Sequence, residues 1–300
     1  MAEEKFHTPV MLSEVLEYLN LSPGKIIVDA TIGTGGHSLK IIEQIMPGGK
    51  LIGIDRDAES LEVAKQRLGS NAGACEFVHG NFCDIDTILE NLSIKKIDGA
   101  LFDLGVSSFQ LENPQRGFSF QQEGPLDMRL DRTSFISAYD LLNNLTQDEI
   151  SALLWTFGEE RWHNRIARFL VKTRERQPIS TTSQLSSIVM QALPTRYRYR
   201  YSRIHPATRT FQAVRIAVNR ELETLEVALN KILAFLAPGA RICVISFHSL
   251  EDRIVKLNFR KASLEGEIDL VNRKPFQPTP DETDTNPSSR SAKLRVAEKV

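Results

Sequence analysis

The chain has 300 residues, of which 41% are hydrophobic and 25% charged, with a formal net charge of -1. That composition fits a globular chain with a sizeable buried core, and it excludes a low-complexity, collagen-like or uniformly polybasic protein. Cys75, Cys83 and Cys243 stand too far apart to frame disulfides or a zinc site, so no metal is expected, and no apolar run approaches the roughly eighteen residues of a membrane span. The first residues lack an apolar signal core, and a reducing cytoplasm is the expected setting.

In chain order, Thr8-Pro9 reads as a helix cap with proline at the first helical position, followed by Met11, Leu12, Val15, Leu16 and Leu19 at helical spacing. The β-branched run Ile26-Ile27-Val28-Asp29 then predicts a strand buried on both faces, and the glycines of Gly33-Thr34-Gly35-Gly36 a tight turn into a helix. That layout suits a nucleotide-type cofactor. Ser38 stands where a dinucleotide fingerprint has its third glycine, while Asp55 closes the next strand, Lys50 to Ile54, about twenty residues past the glycines, where such folds hold a ribose. A glycine turn with a strand-end acid but no third glycine fits S-adenosylmethionine better than NAD.

A helix through Leu61, Ala64 and Leu68, a strand Glu76 to His79 leading to Phe82, and a strand Ile97 to Phe102 ending at Asp103 continue the alternation. Strands alternating with helices predict a doubly wound, mostly parallel sheet whose ligands sit at the carboxyl ends. A fifth strand, Arg241 to Ser246, is fed by one long helix from about Thr208 to Phe235. On the order of a hundred residues separate Asp103 from that helix, beyond ordinary loop lengths, which predicts an inserted, mainly helical domain over 109–207 within a core of 1–108 and 208–300. Its pieces are Tyr139 to Leu145, the capping box Thr146-Gln-Asp-Glu149 opening a helix to Phe157, Glu160 to Glu175, and Thr182 to Leu193.

From Arg161 to Arg209 the chain carries eleven lysines and arginines against one acid, Glu175. Arg196, Arg198, Arg200 and Arg203 alternate with tyrosines, and Arg209 follows. Guanidinium groups fork onto phosphate and aromatic planes stack on unpaired bases, so this stretch is expected to bind RNA. Beyond the fifth strand, Ile268 to Lys274 and Ser291 to Ala297 are a candidate closing strand pair, with Pro275 to Ser289 between them expected to be a flexible loop.

Several blocks then carry a resemblance. Asp29-Ala-Thr-Ile-Gly-Thr-Gly-Gly-His37, Asp98-Gly-Ala-Leu-Phe-Asp-Leu-Gly-Val-Ser-Ser108, Arg116-Gly-Phe-Ser-Phe120, Gly124-Pro-Leu-Asp-Met-Arg129, His205-Pro-Ala-Thr-Arg-Thr-Phe-Gln-Ala-Val-Arg215 and Ser246-Phe-His-Ser-Leu-Glu-Asp-Arg253 are similar to the bacterial ribosomal small-subunit RNA cytosine-N4 methyltransferase family, also called MraW. The resemblance spans nearly the whole chain. It implies a class I methyltransferase fold with a seven-stranded sheet, S-adenosyl-L-methionine as cofactor, and a cytidine of the 16S rRNA decoding centre as substrate, as naked RNA or in the small ribosomal subunit. By motif position it puts cofactor contacts on Gly35, Gly36, His37, Asp55, Phe82, Asp103 and Gln110; His37 and Gln110 come from the resemblance alone. Asp103 is also a candidate for activating the amine, and His248 for facing the target base. Monomer and homodimer stay open.

Overall fold

The computed structural model describes residues 8–198 and 205–300. The chain forms two compact units, Met1–Gly105 with Leu222–Val300, and Val106–Glu221.

The first unit is built on seven strands: β1 (Ile26–Asp29), β2 (Lys50–Asp55), β3 (Cys75–His79), β4 (Ile97–Asp103), β5 (Leu236–Ser246), β6 (Ile268–Leu270) and β7 (Lys293–Lys299), in the order β3-β2-β1-β4-β5-β7-β6. The first five run parallel; β7 is antiparallel to both neighbours. This is the doubly wound sheet expected from the sequence. Consecutive strand residues point to opposite faces. Ile27, Leu51, Leu101 and Cys243 therefore join the helices Leu12–Tyr18 and Gly36–Ile45 in one apolar layer, whereas Val28, Ile52, Phe102 and Val244 meet the helices Glu221–Ile232 and Ser249–Leu264 in the other. The parallel register aligns the carboxyl ends, pairing Asp29 with Gly53, Asp55 with His79, and Asp103 with Ile245.

Two terminal segments differ from expectation, for one reason. Thr8-Pro9 does not open a helix; the turn Met11 has φ 52, and the helix begins at Leu12. The stretch read as a flexible loop contains the helix Pro280–Thr285, with proline at its start and Thr279 as cap, followed by the 3-10 turn Pro287–Ser291. The two hold each other, because Met11 N–H donates to Glu282 Oε1 at 2.7 Å and Asn286 Nδ2 donates to Thr8 O at 3.0 Å. Backbone groups that local pattern leaves unpaired are thus satisfied across the length of the chain.

The second unit is helical around Leu142, Ile150, Leu154, Ile166, Leu170, Leu185, Val189, Phe211 and Val214. Reciprocal capping boxes open the helices Ala138–Asn144, Gln147–Gly158 and Thr182–Ala192, the second at Thr146 and Glu149 as the sequence indicated. The long helix expected from Thr208 to Phe235 is two helices, Thr208–Asn219 and Glu221–Ile232, broken at Arg220 with φ 51. Buried Asn219 anchors the break: its Nδ2 donates to Met128 O at 2.8 Å and its Oδ1 accepts from Leu130 N–H at 2.8 Å. Thr208–Asn219, assigned to the core by the boundary at 208, lies within the second unit. No helix among the described residues is long and apolar enough to cross a membrane.

Candidate active site

Three acids close adjacent strands, and the turn after β1 ties them together. Asp29, fully buried, accepts Ser38 Oγ–H at 2.6 Å on one oxygen and Thr31 N–H at 3.3 Å on the other. Ser38 therefore stands at the fingerprint's third glycine position as the donor that pins Asp29. Thr31 Oγ1 accepts the Asp103 N–H at 2.6 Å, and Asp55 accepts Gly33 N–H and Asp57 N–H, both at 2.8 Å. Each Asp55 oxygen keeps a lone pair for a ribose hydroxyl.

The glycines answer to packing. Gly35 sits at φ 78, where a Cβ would stand 2.8 Å from Leu68 Cδ1; at Gly36 it would stand 2.6 Å from Pro9 Cγ. At Gly53 of β2 it would stand 2.3 Å from Ile32 Cδ1, so the bare strand lets the turn lie flat on the sheet. The helix Gly36–Ile45 then starts without a side-chain cap, leaving its first N–H groups for an anionic group.

His37 is buried, its Nε2 donating to Val10 O at 2.9 Å and its Nδ1 lying 3.5 Å from Asp103 Oδ2. Burial pushes the ring down to about 4, with Arg67 adding to the effect against the Val10 hydrogen bond. Asp103 Oδ1 is buried without a partner, and burial, then the charges of Asp29 and Glu251, push the carboxyl up to about 8. A quarter of that side chain stays open. Burial likewise raises Asp29 and Asp55 to about 6, against their hydrogen bonds. Phe82, just past β3, packs edge-on against Phe102 of β4 at 5.8 Å.

A family model described as the MraW methylase family matches residues 4–300. The chain belongs to that family. Relatives named "Ribosomal RNA small subunit methyltransferase H" include one from Persephonella marina, 47% identical over 98% of this chain and 99% of that one. Others are from Halothermothrix orenii, 46% identical over 98% of each chain, and Clostridioides difficile, 43% identical over 99% of this chain and 100% of that one. The cofactor of this methylase is S-adenosylmethionine, and the site fits it. A carboxyl lacking the hydrogen bonds a buried acid needs, beside an uncapped helix start, complements a ligand carrying both cationic groups and a carboxylate.

The remaining candidates fall elsewhere. His248 caps the helix Ser249–Leu264: its Nδ1 accepts Glu251 N–H at 3.3 Å, while Glu251 Oε2 accepts the N–H groups of Phe247 and His248. Nδ1 is thereby engaged as an acceptor. Gln110 lies in the second unit, buried, its Oε1 accepting Ser107 N–H at 3.0 Å in a capping box. Arg209 donates to Glu159 O at 3.0 Å, past the end of the helix Gln147–Gly158. Arg200 and Arg203, with the side chains of Arg196 and Arg198, lie outside the described residues.

Arg116 stands in one of the blocks that carry the resemblance, yet the sequence assigns it no role. Its buried guanidinium donates to Arg129 O and Leu130 O, both at 3.0 Å. A Cβ on Gly124 would stand 1.8 Å from Pro114 O, and one on Gly117 2.2 Å from Pro125 O. The blocks Arg116–Phe120 and Gly124–Arg129 are thus a backbone-on-backbone knot, and only the paired glycines hinted at it.

Proposed function

We propose that this methylase transfers the methyl group of S-adenosylmethionine to the exocyclic N4 of a cytidine in the decoding centre of 16S rRNA. The observation that carries the reading is the strand-end trio Asp29, Asp55 and Asp103 around an uncapped glycine turn, in a chain 43% to 47% identical to relatives named for small-subunit rRNA methylation. Gly35, Gly36, His37, Asp55, Phe82, Asp103 and Gln110 are assigned to the cofactor. Bound there, it supplies a methyl group already activated by a sulfonium, so the protein's task is positioning and exclusion of water.

Asp103 neutralises positive charge on the cofactor, and His37, through its Nε2–H bond to Val10 O, ties the start of the helix Gly36–Ile45 to the amino-terminal segment. His248 holds the turn after β5 in shape, and its catalytic part is to keep that end of the sheet ready for the base. Arg196, Arg198, Arg200, Arg203 and Arg209 grip RNA phosphates. The target base leaves its stack to reach the site, at a cost of about a few kcal/mol.

The test is transfer of labelled methyl to small ribosomal subunits and to free 16S rRNA lacking the modification, with mass spectrometry of the digested product. N4-methylcytidine from either acceptor supports the reading; tight cofactor binding with no incorporation rejects it. Asp103→Asn should lose cofactor affinity. An Asn enzyme with full affinity and collapsed turnover would move Asp103 to the amine.

A further inference from the structure

At the carboxyl edge of the sheet, β5 and β7 part after the pair Ser246 and Lys293. The chain beyond them opens a cleft of about 380 Å³, walled by Phe247 to Ser249 on one side and by Gln277, Thr283 and Arg290 to Lys293 on the other. Among the described residues no carboxylate lines it. Arg290 is exposed and has no acidic partner among the described residues. The Lys293 ammonium lies 3.3 Å from Asp252, which also holds Arg295 at 2.7 Å, so one carboxylate is shared between two cations and the cleft keeps a positive excess.

Position adds meaning to the charge. Asp103 pairs with Ile245, two residues before Phe247, and a Cβ on Gly105 would touch Phe247 Cδ2 at 3.7 Å. The cleft therefore lies one strand over from Asp103, on the same edge of the sheet. Hydroxyls of Thr283 and Ser291 and the Gln277 amide supply neutral donors and acceptors alongside the cations. A cationic, hydroxyl-lined recess of this size suits a ribose phosphate.

We propose that this cleft is an RNA subsite that holds the ribose phosphate of a nucleotide flanking the methylated cytidine, with Arg290 and Lys293 on the phosphate. It rests on the rRNA-methylase reading and extends it to a surface outside the arginine-rich insertion. Holding a neighbouring nucleotide on the core fixes the target residue against the strand ends.

The experiment uses the full chain with a fluorescently labelled 16S rRNA fragment. Arg290→Ala should weaken RNA binding about five- to twentyfold and raise KM for RNA, leaving S-adenosylhomocysteine affinity unchanged. The slope of log K against log salt should fall by about 0.7, the share of one single-strand phosphate contact. Arg290→Lys should recover most of the binding, and Lys261→Ala, an exposed cation near the far end of the helix Ser249–Leu264, should change little. RNA affinity within twofold of wild type in Arg290→Ala, or equal losses in Arg290→Ala and Lys261→Ala, would overturn the subsite while methylation by the wild type keeps the function standing. Competition for Arg290 by inorganic phosphate without any effect of Arg290→Ala on RNA would make it a free-anion site instead. Wild-type protein that binds no RNA would overturn both readings.

Discussion

Asp103 holds a proton in the folded protein where a free carboxyl has lost it. Its folded pKa, pushed up towards about 8 from an ordinary 3.8, means that the folded protein holds a proton the unfolded chain has released. The stability linked to that proton is complete below about pH 4 and is lost as pH rises towards about 8. Asp29 and Asp55, raised to about 6, have finished titrating by then, and His37, lowered to about 4, acts in the opposite sense only below 6.5. Between pH 6.5 and 8.5 the melting temperature of the ligand-free protein should therefore fall relative to Asp103→Asn, and thermal scans of the pair at several pH values would show it; parallel curves would reject the assignment. If the cofactor's cationic group meets Asp103 as proposed, binding favours the ionised carboxyl and should release protons near pH 7. Calorimetry in buffers of different ionisation enthalpy should find less release in Asp103→Asn.

The same scale sets the limit of sequence reading. An acid closing an apolar run is visible in Asp29, Asp55 and Asp103, because strand ends are marked by composition. Asn219 and Arg116 are invisible because their partners lie about ninety residues away for the first and are bare carbonyls for the second. Arg116→Ala, which strips donors from two carbonyls, should cost about 3 kcal/mol in urea titrations.

The helix Gln147–Gly158 shows a local rule that suffices. Thr146 Oγ1 accepts Glu149 N–H at 3.3 Å, and Glu149 Oε2 accepts Thr146 N–H at 2.8 Å, both exposed. Thr146→Ala should lower stability by about 1 kcal/mol without touching cofactor affinity. Where tertiary contacts overrule local pattern, the elements were misread. Arg220 turns a helix with neither glycine nor proline to announce it, and Pro280–Thr285 is a helix whose side chains serve the opposite end of the chain. Gly36→Ala tests that same junction. Its Cβ would displace Pro9 and with it the Val10 carbonyl that orients His37, so cofactor affinity should fall more than global stability, as paired binding and melting measurements would show.

Taken whole, the molecule is nearly neutral, yet its insertion concentrates arginine. If the five named arginines each neutralise a phosphate, raising salt from 50 to 200 mM should weaken rRNA binding about a hundredfold. An affinity that is flat over that range would remove phosphate contact from the account. The five parallel strands were legible because each carries its own apolar run, whereas their order in the sheet was not; the offset between expected and observed unit boundaries arose because Thr208–Asn219 is amphipathic enough to serve either unit, and only its packing beside Leu154 and Ile150 decides.

β4 and β5 are hydrogen-bonded neighbours, yet the whole Val106–Glu221 unit is written between them. During synthesis β4 leaves the ribosome with Ala100, Leu101 and Phe102 on an open edge, and more than a hundred residues must follow before its partner exists. The second unit draws its apolar cluster wholly from its own residues, so it can fold during that interval. A nascent chain stalled with residue 221 just clear of the ribosome should present a finished helical unit attached to an unfinished, adhesive sheet, and chaperone demand should peak there rather than at either end of translation.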